Sequence, residues 1–245
     1  MTPDTPPRDL FQLWVYLSST PLFGLAATLI AYVIGLRLQR AARGHPLANP
    51  VLLAISVLAI VLQLTGIAYP RYFEGAQFVH FLLGPATVAF AVPLVTQLPT
   101  LVRLRWPLLV ALAAGGIASG ATAVLVAWLL GASDVTILSL VPKSITAPIA
   151  MGISEQIGGV PTLTAVFCIF TGILGASLSG ALLTRLGIHD RVVRGFALGN
   201  AAHGIGAAQA FQEDTEAGAF AGLALALHGL IGAVAIPATV LLFRR

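Results

Sequence analysis

Residues 135–157 read VTILSLVPKSITAPIAMGISEQI, an apolar run with Pro142, Lys143 and Pro148 set in its middle. A bilayer core about 30 Å thick is crossed by roughly 20 apolar residues, because every backbone N–H and C=O must pair within the segment. This run has the length. Its prolines, however, remove backbone donors and clash with the preceding turn, and its lysine costs about 2.5 to 3.5 kcal/mol near a bilayer centre. Broken backbone at membrane depth is tolerated only where protein or a water-filled cavity covers it. The stretch is therefore expected to dip into the membrane and return.

The rest of the chain fits that setting. Of its 245 residues 58% are hydrophobic and 9% charged, with a mean hydropathy of +0.94; a soluble surface takes about 25% charged residues. Apolar spans are read at Trp14 to Leu36, Pro50 to Ala68, Pro107 to Leu130, Pro161 to Leu183 and Phe220 to Phe243. The expected fold is all-α, a polytopic transmembrane helical bundle with broken or re-entrant helices, forming one domain over residues 1–245. The pI of about 9.8 reflects scattered basic residues without a clustered stripe, so no nucleic-acid partner is expected. Basic residues follow the first span instead of preceding it, which makes it a retained helix and not a secretory signal. Cys168 is the only cysteine and excludes an intrachain disulfide.

Two more stretches are apolar but interrupted: Gly75 to Leu98, broken at Gly84-Pro85 and at Pro93, and Gly195 to Phe211, with Gly199, Asn200, His203, Gly204, Gly206 and Gln209. If residues 135–157 re-enter and 195–211 cross, ten of the thirteen Lys and Arg residues fall on the cytoplasmic side, as the positive-inside rule favours. That topology puts the N-terminus outside and the C-terminus in the cytoplasm. It sets Arg185, Arg191 and Arg194 inside and Glu213, Asp214 and Glu216 outside. A shift of 115 positions then lays residues 49–131 on 160–243 with opposite orientations, the signature of an inverted repeat.

Several polar residues inside these runs are candidates for chemistry. Lys143 follows Pro142, a favoured first residue of a helix, and Ser144 and Thr146 add hydroxyls to the same turn. The start of such a half-helix presents unpaired N–H groups and the positive end of a dipole, which suits an anion. A lysine that snorkels to the surface is the competing reading, and Asp134 or Glu155 could pair with it. Asn200 and His203 share a helix face, with Gln209 further along. His203 could relay a proton. His80 and His228 read as packed structural residues, and Gly172, Gly175 and Gly180 as helix-packing positions, whereas Gly84, Gly199 and Gly204 coincide with the breaks. No enzyme signature is present, so no catalytic residue, metal or cofactor is expected.

The stretches LGPATVAFAVPL from Leu83, PKSITAPIAMGIS from Pro142, GGVPTLTAVF from Gly158, RGFALGNAAHGIGAAQA from Arg194 and EAGAFAGLALAL from Glu216 resemble the LrgB/CidB family. That family includes the C-terminal part of the plastid glycolate/glycerate translocator. The resemblance implies a bacterial inner-membrane protein with one of two functions. One is a carrier of small monocarboxylates such as glycolate, glycerate or pyruvate, ion- or proton-coupled. The other is an antiholin-like regulator of murein hydrolase export and autolysis, acting with a holin-like LrgA/CidA partner. Self-assembly into a homo-oligomer is compatible with either. The family's usual Lys and His fall on Lys143 and His203. Ala207-Ala208-Gln209-Ala210 stands where many relatives have Thr-Ala-Arg-Ala, and His228 replaces a commoner Asn. The expected substrate site comprises Lys143, Ser144, Thr146, Asn200, His203, Gly84 and Gln209.

Overall fold

A computed structural model describes residues 21–42, 48–82, 85, 95 and 97–243. They fall into two compact units, divided between Ala86 and Thr87. In the first, α1 (Pro21–Ala41), α2 (Pro50–Thr65) and α3 (Tyr69–Phe81) pack together. Asn49 caps α2 by accepting from the Val51 and Leu52 amides, and the Thr28 and Tyr72 hydroxyls bond at 2.8 Å between α1 and α3. The breaks expected at Gly84 and Pro93 lie outside the described residues.

The second unit holds α4 (Leu98–Leu129), α5 (Asp134–Leu140), α6 (Ala147–Ile157), α7 (Pro161–Arg185), α8 (Arg191–Glu213) and α9 (Thr215–Phe243). Among the described residues, α1 from Leu22, α4, α7 and α9 to Leu242 are long and apolar enough to cross a membrane. α4 starts ahead of the expected Pro107, which lies inside the helix, and carries Pro99 in its first turn. Proline is tolerated there, since the amide it lacks would have no helical partner.

Helix direction decides the topology of this unit. The first half of α8, residues 191–202, lies against α9 so closely that a Cβ on Gly195 or Gly199 would strike the backbone of Ala217 or Ala221 respectively. These matched pairs mean the two run the same way. Phe196 clusters with Leu108 and Leu112 of α4, and Phe220 and Ala224 of α9 join them. Asn200, further along α8, reaches Ala111 and Gly115. α4, the first half of α8 and α9 are thus parallel. α7 runs oppositely, its Gly172, Gly175 and Gly180 facing His203, Ala202 and Arg194 in turn.

Since α4 and α7 run in opposite directions, the segment between them begins and ends at one end of the bundle, as expected for 135–157. α5 enters, residues 141–146 form a non-helical turn, and α6 returns. Ser139, Ser154 and Thr164 tie this hairpin to α7: Thr164 Oγ1 lies 2.8 Å from the Ser139 carbonyl and 2.7 Å from Ser154 Oγ, and the Val160 amide donates to Ser139 Oγ at 2.8 Å. Gly158, with φ 87°, ends α6 in the left-handed conformation glycine adopts freely.

Residues 195–211 do not cross. α8 breaks at His203 and its second half, 204–213, folds back along the first, so that Ala207 and Ala210 pack on Leu198. Arg191 pairs with Asp214 at 3.2 Å and Arg194 with Glu213 at 3.9 Å. The expected separation of Arg185, Arg191 and Arg194 from Glu213, Asp214 and Glu216 by the bilayer is thereby overturned; opposite charges at one end attract and close the hairpin. The pairing of the Pro107 helix with the last span as inverted elements also fails, because α4 and α9 are parallel. An inverted relation exists over other residues. A hairpin followed by a crossing helix occurs at 134–185 and again, with reversed direction, at 191–243.

Single cysteines placed at His189, Thr215 and Leu130 in a Cys168→Ser background test this topology. A membrane-impermeant maleimide should label positions 189 and 215 from the same face and position 130 from the other. Labelling of 189 and 215 from different faces would restore a crossing α8.

Candidate functional site

The two hairpins enter from opposite ends and their tips meet beside α7 at Cys168. The Cys168 carbonyl accepts from His203 Nε2 at 2.8 Å, and its thiol lies 4.0 Å from the Pro142 carbonyl. Because a carbonyl can only accept, the His203 hydrogen sits on Nε2. His203 has φ 42° and ψ −132°, a positive-φ backbone that glycine adopts freely and other L residues adopt at a cost of about 1 to 3 kcal/mol. Two neighbours hold it there: the bond to Cys168, and Gly172 of α7, where a Cβ would come within 2.8 Å of the imidazole. Gly172 therefore makes room for the histidine in addition to packing a helix.

Lys143 lies in the turn between α5 and α6, its Nζ donating to Ser119 Oγ of α4 at 3.0 Å. Ser119 stands ten residues from the end of α4, about 15 Å along its axis, so the amine does not snorkel outward. An ammonium has three donors, so two remain beyond Ser119. Among the described residues no carboxylate pairs with it, and neither Asp134 nor Glu155 does so. α6 begins just after Lys143, with Thr146 at its N-cap making no side-chain capping bond and Pro148 in its first turn. The positive end of that helix therefore points at the same depth as the amine.

Ser144 is buried beside Lys143. It lines a cavity of about 720 Å³ between α4, α5 and α9, whose other lining includes Gly116, Gly120, Ile137, His228 and Thr239. Asn200 is buried; its amide nitrogen is 3.5 Å from the Ala111 carbonyl, while its amide oxygen has no partner among the described residues. A buried acceptor left unpaired costs about 1 to 3 kcal/mol. The Asn200 backbone carbonyl accepts from His228 Nδ1 at 2.9 Å.

Of the residues expected at the site, Lys143, Ser144 and Thr146 share the first tip, and Asn200 and His203 precede and form the second. Gln209 points elsewhere, donating to Glu213 at 3.1 Å near the hairpin mouth, and Gly84 lies outside the described residues. Ser119 and His228 were not among the expected site residues. A small-residue run, GGIASG at 115–120, was the available signal for the first; His228 had only its place inside an apolar span.

Residues 28–242 match the model of the LrgB-like family. The chain belongs to that family. Antiholin-like protein LrgB of Bacillus mycoides (strain KBAB4) is 33% identical over 218 residues, covering 89% of this chain and 95% of the relative. The proteins of the same name from Bacillus cereus (strain B4264) and Bacillus anthracis (strain CDC 684 / NRRL 3495) match at the same identity and coverage. No solved structure matches.

The backbone at the second tip of this LrgB-like chain can be tested by substitution. His203→Gly loses the bond to Cys168 but relieves the positive φ, whereas His203→Ala loses the bond and keeps the strain. The glycine variant should be more stable by about 1 kcal/mol, read as the higher melting temperature in detergent. Equal stabilities would show that His203 carries no backbone cost.

Proposed function

We propose that this protein is a carrier of small monocarboxylates across the bacterial inner membrane, with its binding site where the two hairpin tips approach the bundle centre. The observation that carries this reading is the Lys143 amine, held in non-helical backbone at depth by Ser119 and without an anionic partner among the described residues. A cation placed there at a cost of several kcal/mol is retained where an anion occupies the site in use. The N-terminus of α6 adds N–H donors to the same place. Opposed hairpins followed by crossing helices are the arrangement in which alternating access around a central site is built. Binding is electrostatic and needs no covalent step.

The Arg-rich end supports one orientation. Arg103, Arg105, Arg185, Arg191 and Arg194 lie at the end where α4, α8 and α9 begin, while Asp134 and Glu155 flank the first hairpin at the other. With the arginines cytoplasmic, Phe243 at the end of α9 lies on the outer side. On this reading the C-terminus lies on the side opposite to that expected from charge counting alone, a difference that follows from α8 turning back.

The names of the relatives favour a second reading, an antiholin-like regulator of murein hydrolase export working with a holin-like LrgA/CidA partner. The two readings part at Lys143. Counterflow uptake of labelled two- and three-carbon acids into proteoliposomes should fall at least tenfold in Lys143→Ala and partly recover in Lys143→Arg. Uptake unchanged in Lys143→Ala, with autolysis control intact in cells, would favour the regulator.

A further inference from the structure

α4 is longer than a bilayer requires, and its excess carries arginines. The 32 residues Leu98–Leu129 extend about 48 Å at 1.5 Å per residue, against a hydrocarbon core of about 30 Å. From Pro107 to Leu129 the helix has no charged residue, and that stretch alone spans about 34 Å. Trp106 and Trp128 are 68% and 66% exposed and stand about 33 Å apart along the axis. Tryptophans settle at the two membrane interfaces, so this pair marks where the hydrocarbon begins and ends. Arg103 and Arg105 thus stand at the headgroup level. Arg105 turns back toward the helix start, its Nη1 donating to the Val102 carbonyl at 3.3 Å.

The exposed face of this end is ordered. Val102, Trp106 and Val110 recur every four residues and Ile117 follows seven later, so they form one stripe; all four are more than half exposed. Leu108 and Leu112 point the other way, into the core. Around the helix, Arg103 lies about 60° to one side of Trp106 and Arg105 about 100° to the other. α4 contains no Asp or Glu. Arg191 and Arg194 of α8, at the same end of the unit, are taken by Asp214 and Glu213, whereas among the described residues no carboxylate pairs with Arg103 or Arg105.

We propose that this end of α4 binds an anionic phospholipid, with the phosphate between the Arg103 and Arg105 guanidiniums, the glycerol beside Trp106 and an acyl chain along Val110 and Ile117. Guanidinium groups suit phosphate because their planar N–H forks match its oxygens and the bonds are charge-assisted. A soluble phosphate ester offers the same oxygens but no chain for the apolar stripe below them. The continuity of charge and stripe on one helix favours the lipid. This site lies apart from the hairpin tips and does not depend on the carrier reading.

The test uses the full chain with Trp14→Phe and Trp128→Phe, which leaves Trp106 as the single tryptophan, in phosphatidylcholine vesicles. Lipids with brominated chains, which quench tryptophan on contact, are titrated in. Brominated phosphatidylglycerol should quench Trp106 with about a fivefold preference over brominated phosphatidylcholine. Arg103→Gln combined with Arg105→Gln should bring the two lipids to parity, with quenching by the phosphatidylcholine unchanged as the sign that Trp106 still meets lipid. Arg185→Gln, which removes an arginine of the same end from α7, should leave the preference intact. Equal quenching by both lipids before any arginine is changed, or a preference that survives the double substitution, overturns the site. A preference lost as fully in Arg185→Gln reduces it to diffuse surface attraction and overturns it as well. So does displacement of the brominated phosphatidylglycerol by excess glycerol 3-phosphate in the buffer, which would assign the arginines to a soluble phosphate ester.

Discussion

A polypeptide that ceases to be helical inside a membrane must keep its freed N–H and C=O groups away from lipid. In this protein that requirement is met by crossing helices. α4, α7 and α9 surround two hairpins, and the Asn200 carbonyl, released at the break in α8, is satisfied by His228 of α9, while the imidazole that forms this tip is held by the Cys168 carbonyl of α7. The site is thus a consequence of covering broken backbone: the donors and acceptors left over after this pairing are those that face the interior.

Charge follows the same logic. Lys143 can stay at depth because Ser119 takes one of its donors, and Gly115 and Gly116 keep α4 slim where Asn200 and His228 approach it. The glycines of α8 act differently. Gly195 and Gly199 let its entering half press against the backbone of α9, and this contact fixes the direction in which α9 leaves. Close packing by small residues, not an apolar stripe, holds the unit together.

The first hairpin was legible in the sequence because two prolines and a lysine cannot sit in a lipid-exposed helix. The second was legible only as a polar, glycine-rich interruption. Nothing in ALGNAAHGIGAAQA forbids a continuous helix, and no proline marks the break at His203. Its positive-φ backbone is held by Cys168 and Gly172, residues some thirty positions away whose proximity no local pattern reveals. Counting charges then went astray for a definite reason: Arg191 and Arg194 were separated from Asp214 and Glu213 by a crossing that does not occur. His228 was passed over for a similar cause. Its meaning depends on which ring nitrogen a distant carbonyl occupies.

The hairpins differ in how firmly each is fastened. The first is stitched to α7 by buried hydroxyls of Ser139, Ser154 and Thr164, whose separation would strand polar atoms in an apolar interior. The second is closed at its mouth by ion pairs on partly solvated side chains, bonds of the kind that contribute only about 0 to 1 kcal/mol each and weaken as ionic strength rises. The two fastenings therefore answer differently to ionic strength: the pairs at the second mouth are screened as salt rises, whereas the buried hydroxyl bonds of the first are not.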